Sequence, residues 1–149
     1  MAADLALIDT NVIVYALYAD APQHKAALEI LTKTVDPDAG LCVAPQNLFE
    51  LYAVVTNPRR VSVAFSIREA VELIEALLSR AGLTVLPVPP DVVLRCLELV
   101  RGSSVSGRRI FDAMLAATMH ENGVRRIYTF NDADFSPFQG LHVLIPGIK

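Results

Sequence analysis

Short apolar runs alternate along the chain with longer segments whose apolar residues recur at helical spacing. Five runs have the length and hydrophobicity of strands buried on both faces of a parallel sheet: LALID (5–9), GLCVA (40–44), LTVLPV (83–88), RIYTF (126–130) and LHVLI (141–145). The segments between them predict helices over 11–18, 21–35, 45–56, 67–82, 91–100 and 108–123. Strands separated by helices predict an α/β fold, with a parallel sheet of about five strands and helices on both faces.

Local signals support several of the predicted helix boundaries. Pro45 stands where a helix tolerates proline, in its first turn, and Ser66 with Glu69 forms a capping-box pattern. Gly82 is predicted to end the helix that Ser66 begins, because glycine commonly terminates helices. The stretch SSVSG over 103–107 predicts a flexible loop.

The composition is that of an ordinary folded domain. Apolar residues make up 53% of the 149 residues and charged residues 19%, which favours a single domain over 1–149. The chain starts without the basic segment of a secretory leader, and its longest apolar stretch, over 12–19, is too short to span a bilayer. We therefore expect a cytoplasmic protein with no membrane partner. Cys42 and Cys96 lack zinc-ligand spacing and are predicted to be buried thiols.

The net charge of −3 argues mildly against a nucleic-acid binder, because such proteins are usually basic. The arrangement of the charges matters more than their sum. Six of the ten arginines form adjacent pairs, at 59–60, 108–109 and 125–126. Each pair either binds phosphates or lies on a solvated face. An acidic site beside local arginine pairs would give the same charge balance.

Acidic residues follow two of the predicted strands at their carboxyl ends, where α/β folds bind ligands. Asp9 ends the first strand, and Asp132 and Asp134 follow the fourth. Each has an ordinary structural interpretation, because aspartate caps helices and forms Asx turns. Taken singly, these positions favour a structural role over a functional one.

Two further acids lie on helices that are otherwise mostly apolar. Glu50 follows Asn47 by one turn, so the two share a polar stripe, which either lines a cleft or faces solvent. Asp112 shares a helix face with Leu115, Ala116 and Met119. A carboxylate on a core face is costly unless it is paired or binds a metal. The alternative for Asp112 is a first-turn aspartate that the helix dipole stabilises.

Together, these acids predict a cation site at the carboxyl edge of the sheet. Carboxylates gathered there would repel one another and raise one another's pKa values. A bound cation offsets that repulsion. Oxygen ligands without an organised His or Cys suit Mg²⁺ or Mn²⁺ better than zinc.

The same segments resemble a known family. LIDTNVIVYAL, PQNLFELYAVVTNPRRV, IFDAMLAATMHENGVRRIYTFNDADF and the final strand are similar, in order and spacing, to PIN-domain ribonucleases, specifically the VapC-type toxins of prokaryotic VapBC toxin–antitoxin pairs. The resemblance covers nearly the whole chain and implies a PIN-like three-layer α/β/α sandwich. It implies that Asp9, Glu50 and Asp112 are family acids, and that the fourth acid is Asp132 or Asp134. The polar residues that the family places around its acids are matched by Thr10, Asn11 and Thr129.

The acids and the resemblance agree on a Mg²⁺- or Mn²⁺-dependent endoribonuclease. A metal-activated water would hydrolyse RNA to 5′-phosphate and 3′-hydroxyl ends. Asp9 and Asp112 are the expected metal ligands, with Glu50 and the 132/134 pair completing the site. RNA contacts are expected from four arginines, in this order of preference: Arg108, Arg109, Arg59 and Arg60.

The resemblance also implies two protein partners. One is a cognate VapB-type antitoxin whose peptide covers the acidic groove, and the other is a second copy of the chain. The segments VIVYALYA (12–19) and LFELYAVV (48–55) are candidate apolar surfaces for them.

Two other functions remain open at this stage. A non-catalytic PIN-like interaction module would bind its partners without turnover. An aspartyl-phosphate phosphotransferase would use Asp9 as the nucleophile. It is disfavoured because Asn11 stands where such enzymes usually carry a second aspartate, and because no well-placed lysine follows the sheet.

Overall fold

The computed structural model describes residues 4–148, in which strands and helices alternate. The strands are β1 (Ala6–Ile8), β2 (Leu41–Val43), β3 (Leu83–Val85), β4 (Arg126–Tyr128) and β5 (His142–Leu144). The helices are α1 (Thr10–Leu17), α2 (His24–Thr32), α3 (Pro45–Val55), α4 (Ile67–Leu78), α5 (Asp91–Val100), α6 (Ile110–Glu121) and α7 (Asp132–Phe135). Two 3₁₀ turns, Lys33–Val35 and Gly107–Arg109, continue α2 and precede α6. The five predicted strands are confirmed, although each is only three residues long.

The strands form one parallel sheet in the order β3-β2-β1-β4-β5. Leu7 of the central strand β1 lies opposite Cys42 of β2 on one side and Ile127 of β4 on the other. The chain builds outward from β1 through β2 and β3 and then returns to the other side of β1. The strand order therefore reverses between β1 and β4. In open α/β sheets, ligands bind outside the carboxyl ends of the strands at such a reversal.

The sheet separates two apolar cores, because successive side chains of a strand point to opposite faces. Ala6 and Ile8 of β1 pack against α1, α2, α3 and α4. Leu7, between them, packs against α5, α6 and α7. Leu7 is fully buried, so Leu7→Ala would cost about 2–5 kcal/mol of stability. This three-layer α/β/α arrangement confirms the predicted fold class.

The start of α4 follows the sequence signal, but its end does not. Ser66 Oγ accepts from the Glu69 N–H at 3.1 Å, and a Glu69 carboxylate oxygen accepts from the Ser66 N–H at 3.0 Å. The predicted capping box is therefore confirmed. Gly82 does not end the helix, because α4 stops at Leu78 and Gly82 has no left-handed backbone. A Cβ at Gly82 would collide with the carbonyl oxygen of Asp36, so glycine allows two chain segments to approach closely.

Two other expectations concern the two cysteines and the absence of a membrane-spanning helix. Cys42 and Cys96 are buried free thiols, as predicted. Burial raises the pKa of Cys42 to about 12, which disfavours a reactive thiolate. Between residues 4 and 148, the helices are all too short or too polar to cross a membrane.

Candidate active site

Four elements bring acidic side chains to the carboxyl edge of the sheet. Asp9 directly follows β1, and Glu50 lies in the second turn of α3, the helix that follows β2. Asp112 lies in the first turn of α6, and Asp134 lies in α7, which follows β4. The point where these elements meet is the reversal of strand order between β1 and β4.

Asp9 is buried, with 8% of its surface exposed, and its carboxylate is firmly held. Oδ1 accepts from the Thr10 N–H at 2.8 Å, and Oδ2 accepts from Thr129 Oγ1 at 2.8 Å and from Asn11 Nδ2 at 3.3 Å. Burial raises the pKa of Asp9 to about 6, although the hydrogen bonds from Thr129 and Thr10 oppose that rise. The charges of Glu50 and Asp112 contribute to this raised pKa. Asp9 is the N-cap of α1, but a cap does not require two neighbouring carboxylates.

Asn11 and Thr129 join the end of β1 to the end of β4. Asn11 Nδ2 donates to Thr129 Oγ1 at 3.1 Å, and Asn11 Oδ1 accepts from the Phe130 N–H at 3.2 Å. Thr129 is fully buried, and its Oγ1 also accepts from the Asn131 N–H at 3.0 Å. The two predicted polar residues thus contact Asp9 and fix the chain around it.

Glu50 is half-buried and is tied to α1 through Thr10. Glu50 Oε2 lies 3.2 Å from Thr10 Oγ1, which also lies 3.1 Å from the carbonyl oxygen of Asn47. A threonine hydroxyl has one proton, so it donates to only one of these acceptors at a time. Asn47 is fully buried, and its Oδ1 accepts from the Ala44 N–H at 2.8 Å at the start of α3.

Asp112 is held much more loosely than Asp9. Its side chain is 29% exposed, and its ion-pair partner is Arg109, with Nε 3.9 Å from Oδ2. Between residues 4 and 148, no group donates a hydrogen bond to its carboxylate. Burial raises the pKa of Asp112 to about 6, Asp134 and Glu50 add to the rise, and Arg109 opposes it. The face that it shares with the core is confirmed by three buried side chains: Leu115, Ala116 and Met119.

The segment after β4 forms the short helix α7. The Asx turn, which was the structural alternative for Asp132 and Asp134, is not formed there. Asp134 is half-buried, and its charge raises the pKa of Asp112. Asp132 is exposed. Residues two apart in a helix lie about 200° apart around its axis, so these two carboxylates point in opposite directions. Asp134 is the one whose charge acts on Asp112.

The donor set of the site consists of carboxylate oxygens, which suit Mg²⁺ or Mn²⁺. Within the described part of the chain, no three His, Cys, Asp or Glu side chains are grouped tightly enough to hold an ion jointly. Mg²⁺ is commonly held by one or two carboxylates and keeps several waters. Asp9 and Asp112, whose charges act on each other, fit that smaller ligand set.

The two predicted arginine pairs lie in different places. Arg109 contacts Asp112, and Arg108 is exposed beside it in the preceding 3₁₀ turn. Arg59 and Arg60 are exposed beyond the last residue of α3, which has 11 residues and begins at the carboxyl edge. A helix of that length rises about 16 Å, so α3 carries this pair away from the acids.

Gln46 is a site residue that the sequence interpretation missed. Its Nε2 donates to Glu50 Oε1 at 2.9 Å and to the carbonyl oxygen of Phe111 in α6 at 2.8 Å. The available signal was its position four residues before Glu50, which places both on one helix face.

Apolar surface is exposed in part of the expected segments and also elsewhere. In α1, Val12, Ile13 and Ala16 are buried, and Val14, Tyr15 and Leu17 are partly buried. In α3, Phe49 is 73% exposed. Several exposed apolar side chains lie together on and around α5 and the start of α6. We call it the α5–α6 patch; its exposed members are Val88, Val93, Leu94, Leu97 and Phe111. A hollow of ≈ 360 Å³ lies within it.

Comparison with known proteins gives the class of this fold and site. The family model described as "PIN domain" matches residues 6–140. The chain therefore belongs to the PIN-domain family, as the sequence motifs predicted.

The curated relatives narrow this class to the VapC proteins. Ribonuclease VapC24 of Mycobacterium tuberculosis, from strain H37Rv and from strain CDC 1551, is 32% identical over 131 residues. The match covers 88% of this chain and 89% of the relative. The two proteins are thus homologous over nearly their full lengths.

Solved structures of similar fold include a toxin, a DNA-bound VapBC and a toxin–antitoxin complex. VapC20 of Mycobacterium tuberculosis, described as a Sarcin-Ricin loop cleaving toxin, has a TM-score of 0.66 at 17% identity and covers 92% of this chain and 98% of its own. The DNA-bound VapBC of Salmonella typhimurium has a TM-score of 0.64 at 16% identity, with coverages of 94% and 96%. A toxin–antitoxin complex from Klebsiella pneumoniae has a TM-score of 0.61 at 20% identity, with coverages of 95% and 97%. At these identities the likeness shows the fold alone.

Proposed function

We propose that the chain is a Mg²⁺- or Mn²⁺-dependent endoribonuclease and the toxin of a type II toxin–antitoxin pair. The observation that carries this proposal is the set of acids at the carboxyl edge of the sheet: Glu50 and Asp112 raise the pKa of Asp9, and Asp134 and Glu50 raise the pKa of Asp112. Homology to a protein named Ribonuclease VapC24 supports RNA as the substrate.

In this proposal, Asp9 and Asp112 hold the cation directly. Glu50 and Asp134 complete the site, either directly or through water, and we prefer Asp134 to Asp132 because its charge acts on Asp112. When bound, the cation would lower the pKa of a water and stabilise the charge on the leaving 3′-oxygen. The products would carry 5′-phosphate and 3′-hydroxyl ends.

The surrounding polar residues position the first metal ligand. Thr129 and Asn11 fix one oxygen of Asp9, and the Thr10 N–H fixes the other. These bonds hold the Asp9 carboxylate in one orientation. Arg108 and Arg109, beside Asp112, would contact the RNA phosphates. We rank Arg59 and Arg60 behind them because α3 leads away from the acids.

Cleavage assays with matched aspartate variants test the proposal. Asp9→Asn should lose cleavage by on the order of a thousandfold, because the metal supplies several kcal/mol of transition-state stabilisation. Asp38→Asn is the matched control, because Asp38 is exposed in the loop before β2, at the other edge of the sheet. Cellular RNA is incubated with each protein and Mn²⁺, new 5′-phosphate ends are mapped by sequencing, and circular dichroism reports folding.

The same assay separates the proposal from its main rival. Loss of wild-type cleavage in EDTA and its return with Mn²⁺ would support metal dependence. If folded wild-type protein bound RNA but produced no new ends with Mn²⁺, the chain would be a non-catalytic interaction module. Equal cleavage by Asp9→Asn and wild type would refute the assigned site.

We further propose that the toxin binds a VapB-type antitoxin and forms a homodimer. The antitoxin is supported by structural neighbours that are described as toxin–antitoxin complexes. The dimer is supported by the α5–α6 patch, because exposed apolar patches mark protein–protein interaction sites. Light scattering after size exclusion should give a dimer mass for wild type and a monomer mass for the double variant Leu94→Ser/Leu97→Ser. A monomeric wild type would contradict the dimer.

A further inference from the structure

Helices α3 and α6 lie on opposite faces of the sheet, yet one side chain connects them at the acidic edge. Helix α3 packs in the core with Ala6 and Ile8, and α6 packs in the core with Leu7. Gln46 Nε2 spans the gap, donating to Glu50 Oε1 at 2.9 Å and to the carbonyl oxygen of Phe111 at 2.8 Å. Glu50 is an acid of one layer, and Phe111 directly precedes the acid of the other layer.

The chemistry of the two acceptors fixes the orientation of the Gln46 amide. The amide NH₂ has two protons, and here each proton has one acceptor. The reversed amide would place Oε1 against a carboxylate oxygen and a carbonyl oxygen, which would repel it. In the favourable orientation Oε1 is buried without a partner in the described part of the chain.

The Gln46 bond to α6 matters because the Asp112 carboxylate has so few contacts of its own. Its partner is Arg109 at 3.9 Å, at the limit of an ion pair. The position of Asp112 relative to Glu50 therefore depends on where the first turn of α6 lies. Gln46 holds that turn by the carbonyl of the residue next to Asp112.

We propose that Gln46 is a positioning residue that sets the distance between Glu50 and Asp112 across the two helical layers. The inference rests on the proposed metal-dependent nuclease function, because it assigns Gln46 to that same site. Gln46 does not touch the reacting atoms. It acts through the two acids, and its loss should therefore weaken cation binding and slow the chemical step.

Two variants with one control test this role. Gln46→Ala removes the side chain, and Gln46→Met keeps its length without a hydrogen-bond donor and without an added charge. Each should raise the Mn²⁺ dissociation constant by about tenfold or more and lower kcat similarly, because loss of groups that orient metal ligands has effects of this size. KM should change less than kcat, because Gln46 does not bind the RNA. Gln139→Ala, at an exposed position, should match wild type in Mn²⁺ affinity by calorimetry and in kcat.

A double-mutant cycle shows whether Gln46 acts through Glu50. In a Glu50→Ala background, Gln46→Ala should change the Mn²⁺ dissociation constant by less than about threefold, because coupled residues have non-additive effects. Full additivity of the two effects on the Mn²⁺ dissociation constant would overturn the proposal. Wild-type Mn²⁺ affinity in either single Gln46 variant would also overturn it, even if that variant melted at a lower temperature.

Mn²⁺ affinity also separates this proposal from the nuclease assignment. If the wild type binds Mn²⁺ but cleaves no RNA, the nuclease assignment fails while the calorimetric test of Gln46 still stands. If the wild type cleaves RNA and both Gln46 variants equal it, only the role of Gln46 fails.

Discussion

The two candidate metal ligands are held in opposite ways. Asp9 lies at the end of the central strand, is buried, and accepts three hydrogen bonds within 3.3 Å. Asp112 lies in the first turn of α6, is 29% exposed, and contacts Arg109 at 3.9 Å. Burial raises the pKa of both to about 6. The fold fixes the position of Asp9, whereas the position of Asp112 depends on a helix end and on the surrounding charges.

This difference predicts that substitutions around Asp9 and around Asp112 will affect stability and activity in different ways. Around Asp9, a change should disturb packing, hydrogen bonding and stability together, because the same groups serve all three. Around Asp112, a change should act mainly through charge, since it leaves few broken bonds behind.

Among changes to the surroundings of the two aspartates, the largest effect is expected from Thr129→Val, which removes a buried hydroxyl but keeps the shape of the side chain. Asp9 and the Asn131 N–H would each lose a buried partner, so stability should fall by about 1–3 kcal/mol. Cleavage should fall by roughly 10- to 100-fold, because Asp9 would be less well oriented. Urea unfolding and single-turnover cleavage measure the two effects.

Thr118→Val is the matched control for this prediction. Thr118 is also buried, but among residues 4–148 its hydroxyl bonds only to the Met114 carbonyl one turn earlier in α6. Such a bond within a helix adds little stability. If the two threonine variants lost equal stability and activity, the network around Asp9 would have no special role.

A smaller and opposite effect is expected from Asp112→Asn in the absence of divalent cations. The change removes a charge that Asp134 and Glu50 repel and breaks no hydrogen bond in the described part of the chain. The melting temperature in EDTA should rise by about 2–4 °C, which corresponds to roughly 1 kcal/mol for a chain of this size. A lower melting temperature would show that Asp112 stabilises the fold.

The pH dependence of that difference follows from the raised pKa. The folded protein binds a proton at Asp112 with a pKa of about 6, against 3.8 as the ordinary value. Between these values the folded state binds more protons than the unfolded state, so this group stabilises the fold as pH falls. The stability gap between Asp112→Asn and wild type should therefore be largest above pH 6 and shrink toward pH 4. Urea unfolding in EDTA above pH 6 and near pH 4 measures this stability gap. A gap that widened on acidification would contradict the raised pKa of Asp112.

The smallest effect is expected from Arg108→Ala, which lies next to the Asp112 side of the site. Loss of one phosphate contact should weaken RNA binding a few-fold and flatten the plot of log affinity against log salt by about 0.7. Arg59→Ala should leave the slope closer to wild type, because α3 places that residue farther from the acids. Equal changes in the two variants would mean that RNA covers both regions.

The sequence was sufficient to predict features that depend on local patterns of apolar and polar residues. The strands were predicted because uninterrupted apolar runs suit a sheet covered on both faces, and the face of Asp112 followed from helical spacing. It was insufficient where the outcome depended on distant contacts. Gly82 was assigned to a helix end, but its role comes from the Asp36 carbonyl, 46 residues earlier in the chain.

Gln46 and the α5–α6 patch could not be predicted for the same reason. The partner of Gln46 in α6 is a backbone carbonyl, which leaves no trace in the sequence. The apolar residues of α1 and α5 look equally hydrophobic in the chain. Only packing decides that α1 is covered by α2 and α3 while one side of α5 stays exposed.

The bond between Thr129 and Asp9 spans 120 residues, which has a consequence for the synthesis of the chain. The central strand β1 emerges first from the ribosome, but its neighbour β4 and the residues that fix Asp9 emerge near the end. Domains are made at about 5–20 residues per second, so the growing chain lacks a complete acidic site for most of its synthesis. Under the proposed function, the growing chain therefore completes its acidic site only when its last residues are made.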